Sequence, residues 1–197
     1  MPELYQNLFD CRVNNANLGG VKNLNIALHN RYQTSGELVM SLDAEYGSVA
    51  ANTLDRIPLC VGDLVIFTEN NYTLGLRNGS LGRIVEALEV SELDDPCCRC
   101  EFEGVEYLLN SSQIHALSHS YSITVHKSQG SQFKRVIVPI RQSRLLDQAL
   151  IYTAVTRGVD QVVLVGNLEV ANAAIKAPAN AARRNVMLPT LLKRGSR

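Results

Sequence analysis

Two apolar runs without alternation, Val136-Ile137-Val138-Pro139-Ile140 and Val162-Val163-Leu164-Val165, constrain the fold most. A strand with one wetted face alternates apolar and polar residues. A strand covered on both faces reads as a continuous apolar run, and such strands belong to parallel sheets packed by helices. The residues between the runs supply a helix: Leu146, Ala149, Leu150, Thr153 and Ala154 share one face, and Gly158 stands just past its end, where glycine closes helices. Strand, helix, strand predicts a parallel α/β layer. Ligands of such sheets bind beyond the carboxyl ends of strands, so the segments just before the two runs are expected at one cleft edge.

The flanks read differently. After Gly19-Gly20, the residues Val21, Leu24, Ala27, Leu28 and Tyr32 recur at helical spacing and predict an amphipathic helix. From Leu59 to about Leu117 the texture changes to short β-rich runs (LVIF, GRIVEAL, VEYLL) broken by Gly-Asp, Asn-Gly and Asp-Pro, which predicts a small antiparallel barrel. Leu168 to Ala182 reads as an alanine-rich closing helix interrupted at Pro178. The expected organisation is therefore α/β, with residues 1–58 and 118–182 in the parallel layer, 59–117 an inserted β-barrel and 183–197 a basic tail. That tail carries Arg183, Arg184, Lys193, Arg194 and Arg197 and no acid, and reads as a solvated end ahead of a phosphate-binding one.

Composition excludes several classes. A chain of 197 residues that is 46% hydrophobic needs neither disulfides nor metal to hold a core. Its 19 basic and 19 acidic side chains cancel, against a dedicated nucleic-acid module with a strongly basic stripe, although local patches are allowed. No run reaches the length of a membrane span and MPELYQNLFD has no signal-peptide pattern, so a cytoplasmic protein without a membrane partner is expected. Among five cysteines, Cys97, Cys98 and Cys100 are too crowded to pair well with one another, and reduced thiols are expected. A zinc site from that cluster with His115 or His119 lacks a second paired half, so no metal is expected.

The densest chemistry is Thr124-Val125-His126-Lys127-Ser128-Gln129-Gly130. Hydroxyl, imidazole, ammonium and amide groups this close together offer donors to phosphate and sugar oxygens. A helix so crowded with polar groups is not expected inside a core, where each would need a partner. Singly, His126 suits a structural histidine and Lys127 a solvated charge; their company points to function. Further upstream, Asn70, Asn71 and Asn78-Gly79 suit tight turns, while Tyr72 beside them serves a turn or stacks on a base.

TVHKSQGSQFKRVIV, from Thr124, resembles motif V of superfamily 1 helicases, and LIYTAVTRGVDQVVLVGN, from Leu150, resembles motif VI and its following strand. CVGDLVIFTENNYTLGLRNGSLGRI, from Cys60, is similar to the SH3-like barrel inserted in the second motor domain of RecD-type enzymes, including conjugative relaxase-helicases. The resemblance implies a second RecA-like domain interrupted by its barrel. It implies single-stranded DNA contacts at Thr124 and His126, with Lys127, Ser128 and Tyr72 as further DNA candidates. Gly130 and Gln132 would lie near the nucleotide ribose, and Arg157 would be the catalytic arginine reaching the γ-phosphate across the interdomain cleft. Where the family has Gly-Ser-Glu-Phe this chain has Gly130-Ser131-Gln132-Phe133; glutamine still hydrogen-bonds a hydroxyl but brings no charge.

No G-x-x-x-x-G-K-[ST] occurs in the 197 residues, and the acids near the second apolar run, Asp160 and Glu169, stand outside it. ATP and magnesium are therefore expected mainly on a first RecA-like domain lying N-terminal to this chain, which by itself should neither bind ATP tightly nor hydrolyse it. The implied function is the C-terminal motor portion of an ATP-dependent DNA helicase acting in recombination, repair or conjugation. Its expected partners are single-stranded DNA, that first domain and other subunits of a RecBCD-like complex. Rivals are a superfamily 1 RNA helicase or a Pif-type DNA helicase, which share the HKSQG core, and a stand-alone nucleic-acid or partner-binding module from a degenerate helicase.

Overall fold

The computed structural model describes residues 6–9, 20–32 and 36–177. The elements are β1 (Gln6–Phe9), α1 (Val21–Tyr32), β2 (Met40–Asp43), β3 (Gly47–Ala50), β4 (Leu64–Phe67), β5 (Leu81–Ala87), β6 (Pro96–Phe102) and β7 (Val105–Asn110). There follow α2 (Ser111–Ile114), β8 (Leu117–His119), β9 (Ser122–Thr124), β10 (Phe133–Ile140), α3 (Gln148–Val155), β11 (Gly158–Gly166) and α4 (Leu168–Lys176).

Both apolar runs are strands of one parallel sheet, ordered β11-β10-β1-β9. Val136 pairs with Val162 and Ile140 with Gly166, while β1 lies between β10 and β9 through Asn7, opposite both Ile137 and Ser122. Helices α3 and α4 begin on side-chain caps, the Asp147 carboxylate accepting from Leu150 N and the Asn167 amide oxygen from Glu169 N and Val170 N. Their buried residues, Ile151, Ala154, Ala171 and Ala174, pack with Val136 and Val138 in one core.

The structure corrects several details of the reading from sequence. In β10, Val136, Val138 and Ile140 are buried, with Ile137 and Pro139 between them half-buried; Leu164 and Val165 of β11 are 37% and 51% exposed. Among the described residues β11 is the last strand of its sheet, so the two-sided burial inferred from an apolar run is not reached. On α3 the buried face turns on Ile151, and Ala149 is exposed. Gly158 does not cap α3 in a left-handed conformation: it opens β11 opposite Phe133, and a Cβ there would collide with the Val162 side chain. Helix α4 ends at Lys176, with Ala177 extended before Pro178, the conformation a following proline favours. Pro178 to Ala182 and the basic tail lie outside the described residues.

The other large sheet is antiparallel, ordered β7-β6-β5-β4-β8. Its β6–β7 hairpin turns on Glu103-Gly104, both at positive φ. Phe67 and Phe102 meet edge to face, ring centroids 6.1 Å apart, in a core with Leu59, Ile84 and Leu109. Val39 and Ala51, flanking the β2–β3 hairpin, join that core and bond to Leu59 through Val39 N to Leu59 O and Leu59 N to Ala51 O, both 2.9 Å. This unit thus draws on residues ahead of Leu59. The cysteine cluster is a buried strand: a register shift between Pro96 and Cys98 turns the neighbours Cys97 and Cys98 both inward, and Cys100 follows. These thiols are free; hydrogen bonding to Cys98 and burial push Cys97 far up, hydrogen bonding to Cys100 pushes Cys98 up, and both stay protonated.

Strand β4 is the seam between the two units. Val65 and Phe67 point into the antiparallel core, whereas Ile66 packs into the parallel one beside Leu81 and Phe133.

Candidate functional site

The Thr124–Gly130 segment is a succession of turns, not a helix. Thr124 ends β9, and its Oγ1 accepts a hydrogen bond from Lys127 N at 3.2 Å while its carbonyl accepts from Ser128 N at 3.1 Å. Val125 and Ser128 turn inward; the Ser128 hydroxyl donates to Val125 O at 2.7 Å and is fully buried. Ser128, expected among the DNA contacts, thus holds the turn from inside. His126, Lys127 and Gln129 are exposed and Thr124 is half-buried. Gly130, also exposed, closes the turn at φ 86°, a conformation that side chains with a Cβ rarely adopt.

Strand register shows where this segment leads. Thr124 lies opposite Phe9, two residues beyond Asn7, whereas Phe133 starts β10 four residues before the partner of Asn7, Ile137. Because the strands are parallel, residues 124–132 run from the carboxyl edge of the sheet to its amino edge. Arg157 waits at that second edge, just before β11, and its carbonyl accepts from Phe133 N at 2.8 Å. Its guanidinium donates to Thr153 O, Ser131 O and Thr156 Oγ1, each at 3.2 Å. A guanidinium has five N–H donors, so these bonds do not exhaust it. Gln132 is exposed beside it. Thus Gly130, Gln132 and Arg157 gather at the amino edge and Thr124 lies at the carboxyl edge, which corrects the expectation of one cleft edge beyond strand carboxyl ends.

The asparagines build loops: Asn71 Oδ1 accepts from Leu74 N and Asn70 Oδ1 from Asn78 N, both at 3.0 Å. Tyr72 projects between them, 92% exposed.

Sequence reasoning missed a polar cluster. On α1 the buried residues are Asn25 and His29, one turn apart, while Ala27 and Tyr32 of the apolar stripe are exposed. Asn25 donates to His119 O at 2.8 Å and Ser122 O at 3.1 Å, and accepts from Ser122 N at 2.7 Å. His29 Nδ1 lies 3.0 Å from Oδ1 of the fully buried Asp63, which also accepts from the Tyr121 hydroxyl at 2.7 Å. Asp63 Oδ2 accepts from Cys60 N at 2.7 Å and meets His119 Nε2 at 3.1 Å. Burial alone would raise the Asp63 carboxyl, but the hydrogen bonds and charge of His119, with the bonds from Tyr121 and Cys60 N, outweigh it and hold the group below its ordinary range. His29, Cys60 and Asp63 bring donor atoms of metal-ligand type within 4.8 Å of one another. Yet the carboxylate already accepts four hydrogen bonds, and burial followed by the Asp63 charge pushes the Cys60 thiol up, away from the thiolate a metal requires. His119 and His115, considered above with the cysteine cluster, go elsewhere: His119 to Asp63, and His115 to the surface. The one signal available beforehand was a polar pair, Asn25 and His29, at helical spacing.

A parallel sheet crossed from edge to edge by residues 124–132, with an antiparallel unit seamed to it, is a fold that solved helicase structures share. Candida albicans Pif1 helicase superposes with a TM-score of 0.58 at 16% identity, covering 88% of this chain and 47% of that one. Bacteroides Pif1 with ADP-AlF3 and single-stranded DNA gives 0.55 at 18% identity, covering 96% and 46%. By sequence the chain is similar to the C-terminal part of helicases of the RecD type: residues 119–165 match the UvrD-like helicase C-terminal domain. It is 32% identical over 108 residues to the ATP-dependent RecD2 DNA helicase of Deinococcus radiodurans, 54% of this chain and 14% of that protein. Over 121 residues it is 35% identical to the RecBCD enzyme subunit RecD of Mycolicibacterium smegmatis, 60% and 20%. A probable conjugal transfer protein TraA of Sinorhizobium fredii is 35% identical over 99 residues, 49% and 8%. The matched stretch spans a fifth or less of each of these three relatives.

Proposed function

We propose that the chain is the second motor half of an ATP-dependent DNA helicase of the RecD type, coupling ATP hydrolysis to movement along single-stranded DNA. In this reading residues 1–58 and 118–182 build the motor half, and residues 59–117, joined by the β2–β3 hairpin, form an SH3-like barrel. Thr124, His126 and Lys127 contact DNA, with Tyr72 stacking on a base. Gly130 and Gln132 approach the nucleotide ribose at the opposite edge. ATP and magnesium sit mainly on a P-loop-bearing RecA-like partner domain, where they supply the phosphoryl group and neutralise its charge. Arg157 turns its remaining donors toward that group, a planar fork suited to phosphate oxygens.

The observation that carries the reading is the path of residues 124–132 from one sheet edge to the other, ending where the Arg157 guanidinium bonds Ser131 O at 3.2 Å. A displacement at the nucleotide edge reaches the DNA edge within one continuous segment.

The test is titration of a fluorescent oligothymidylate into the chain. With balanced charge and half of the DNA track, binding should be about 10–100 µM with a shallow salt slope, because few phosphates are neutralised. Thr124→Ala with His126→Ala should weaken it several-fold further. Binding that this pair of substitutions leaves intact would show that the DNA contacts lie elsewhere.

A further inference from the structure

Asp63 joins three elements that are far apart in sequence. It lies just ahead of β4, at the seam strand; His29 belongs to α1; His119 and Tyr121 bracket the short link from β8 to β9. Beyond Tyr121 come the three residues of β9, the last of them Thr124, and then the turn bearing His126 and Lys127. On the other side of the same link, Asn25 of α1 holds both N and O of Ser122. Ser120 N bonds Leu64 O at 2.9 Å, so backbone pairing continues from β8 toward the same point.

Apolar side chains would pack this junction at a lower electrostatic cost, since a buried carboxylate is tolerable only when its hydrogen bonds are satisfied. What a polar network adds is direction: each bond holds its partner at one distance and angle. The imidazoles of His29 and His119 lie edge to face with centroids 4.7 Å apart, and His119 stacks on Tyr121 at 6.0 Å, so a shift of any one ring disturbs the others.

We propose that Asp63 is a positioning residue: through Tyr121 and His119 it sets the start of β9, and hence the 124–130 turn, relative to the antiparallel unit. The proposal rests on the reading of that turn as the DNA contact. Movement of the antiparallel unit then reaches the turn through two side chains.

Two variants test it. Tyr121→Phe keeps the ring and removes one hydrogen bond to Asp63. Ser118→Ala, on neighbouring β8, removes a hydrogen bond of similar length to Asp55, 2.9 Å, outside the network. In heteronuclear NMR spectra of the chain, Tyr121→Phe should shift the backbone amides of Val125 to Gln129, and oligothymidylate affinity should fall several-fold. Ser118→Ala should leave both within twofold or within error. Turn amides that do not move in Tyr121→Phe would overturn the positioning role whatever the DNA result. Equal losses of affinity in both variants would also overturn it, by showing a general effect of lost stability. The reading of the turn as a DNA contact fails separately, if Thr124→Ala with His126→Ala leaves affinity unchanged.

Discussion

Asp63 shows how much one buried side chain can organise. Its two oxygens accept four hydrogen bonds, and its folded-state pKa is held below the ordinary carboxylate range, so ionisation favours the native state. For a carboxyl depressed on folding, that stability is present above the unfolded pKa, near 3.9, and is lost as pH falls through the lower folded value. Asp63→Asn should cost about 3 kcal/mol at neutral pH, as removal of one member of a buried charged network does. It should also flatten the loss of stability on acidification below about pH 4, measured by urea unfolding across pH. An unchanged acid limb would mean that Asp63 is not held ionised by its partners. None of this was legible in the sequence, because 34 and 56 residues separate Asp63 from His29 and His119. Gly62-Asp63 read only as a turn. Thr124 to Gly130 and Arg157 stood out as candidates because their polar groups lie in compact runs, although the inward turn of Ser128 could not be read there.

Among the elements, the parallel strands and α3 came through because a hydrophobic run or stripe is a local property. Helix α1 existed as expected but buried its polar side: the cluster waiting at Asp63 and Ser122 was worth more to Asn25 and His29 than burial was to Ala27 and Tyr32. Strand β6 was not among the β-rich runs picked out in the sequence; its three cysteines, expected as reduced thiols, are buried in the antiparallel core. The β2–β3 hairpin, read as part of the α/β layer, lends Val39 and Ala51 to the other core. Strand β4 has the plainest energetic consequence, since it divides its side chains between the cores. Ile66→Ala should destabilise the chain by roughly 2–5 kcal/mol, the range for deleting a fully buried aliphatic side chain. Truncating Val85, 39% exposed on β5, should cost much less. Similar losses for the two in denaturant melts would remove β4 from its place as the seam.

At the scale of the whole molecule, the proposed function assigns DNA contacts to the carboxyl edge of the parallel sheet and phosphate contacts to the amino edge, with residues 124–132 running between them to Arg157. The competing role for Arg157 is local: it follows the end of α3 and bonds Thr153 O, where any cation gains from the helix dipole. Lysine separates the two. It serves a helix end nearly as well, but it replaces a rigid fork with a point charge on a flexible stem, so contacts made in the transition state suffer most. The decisive measurement is the DNA-stimulated ATPase rate of Arg157→Lys in a protein that joins this chain to a P-loop-bearing RecA-like domain, with DNA affinity determined alongside. A fall in turnover of about 100-fold or more, a partial loss of the roughly 1,000- to 100,000-fold that an arginine finger supplies, with DNA affinity changed less than about threefold, is the predicted result. Turnover within about twofold of wild type would contradict it and leave Arg157 the cap of a helix.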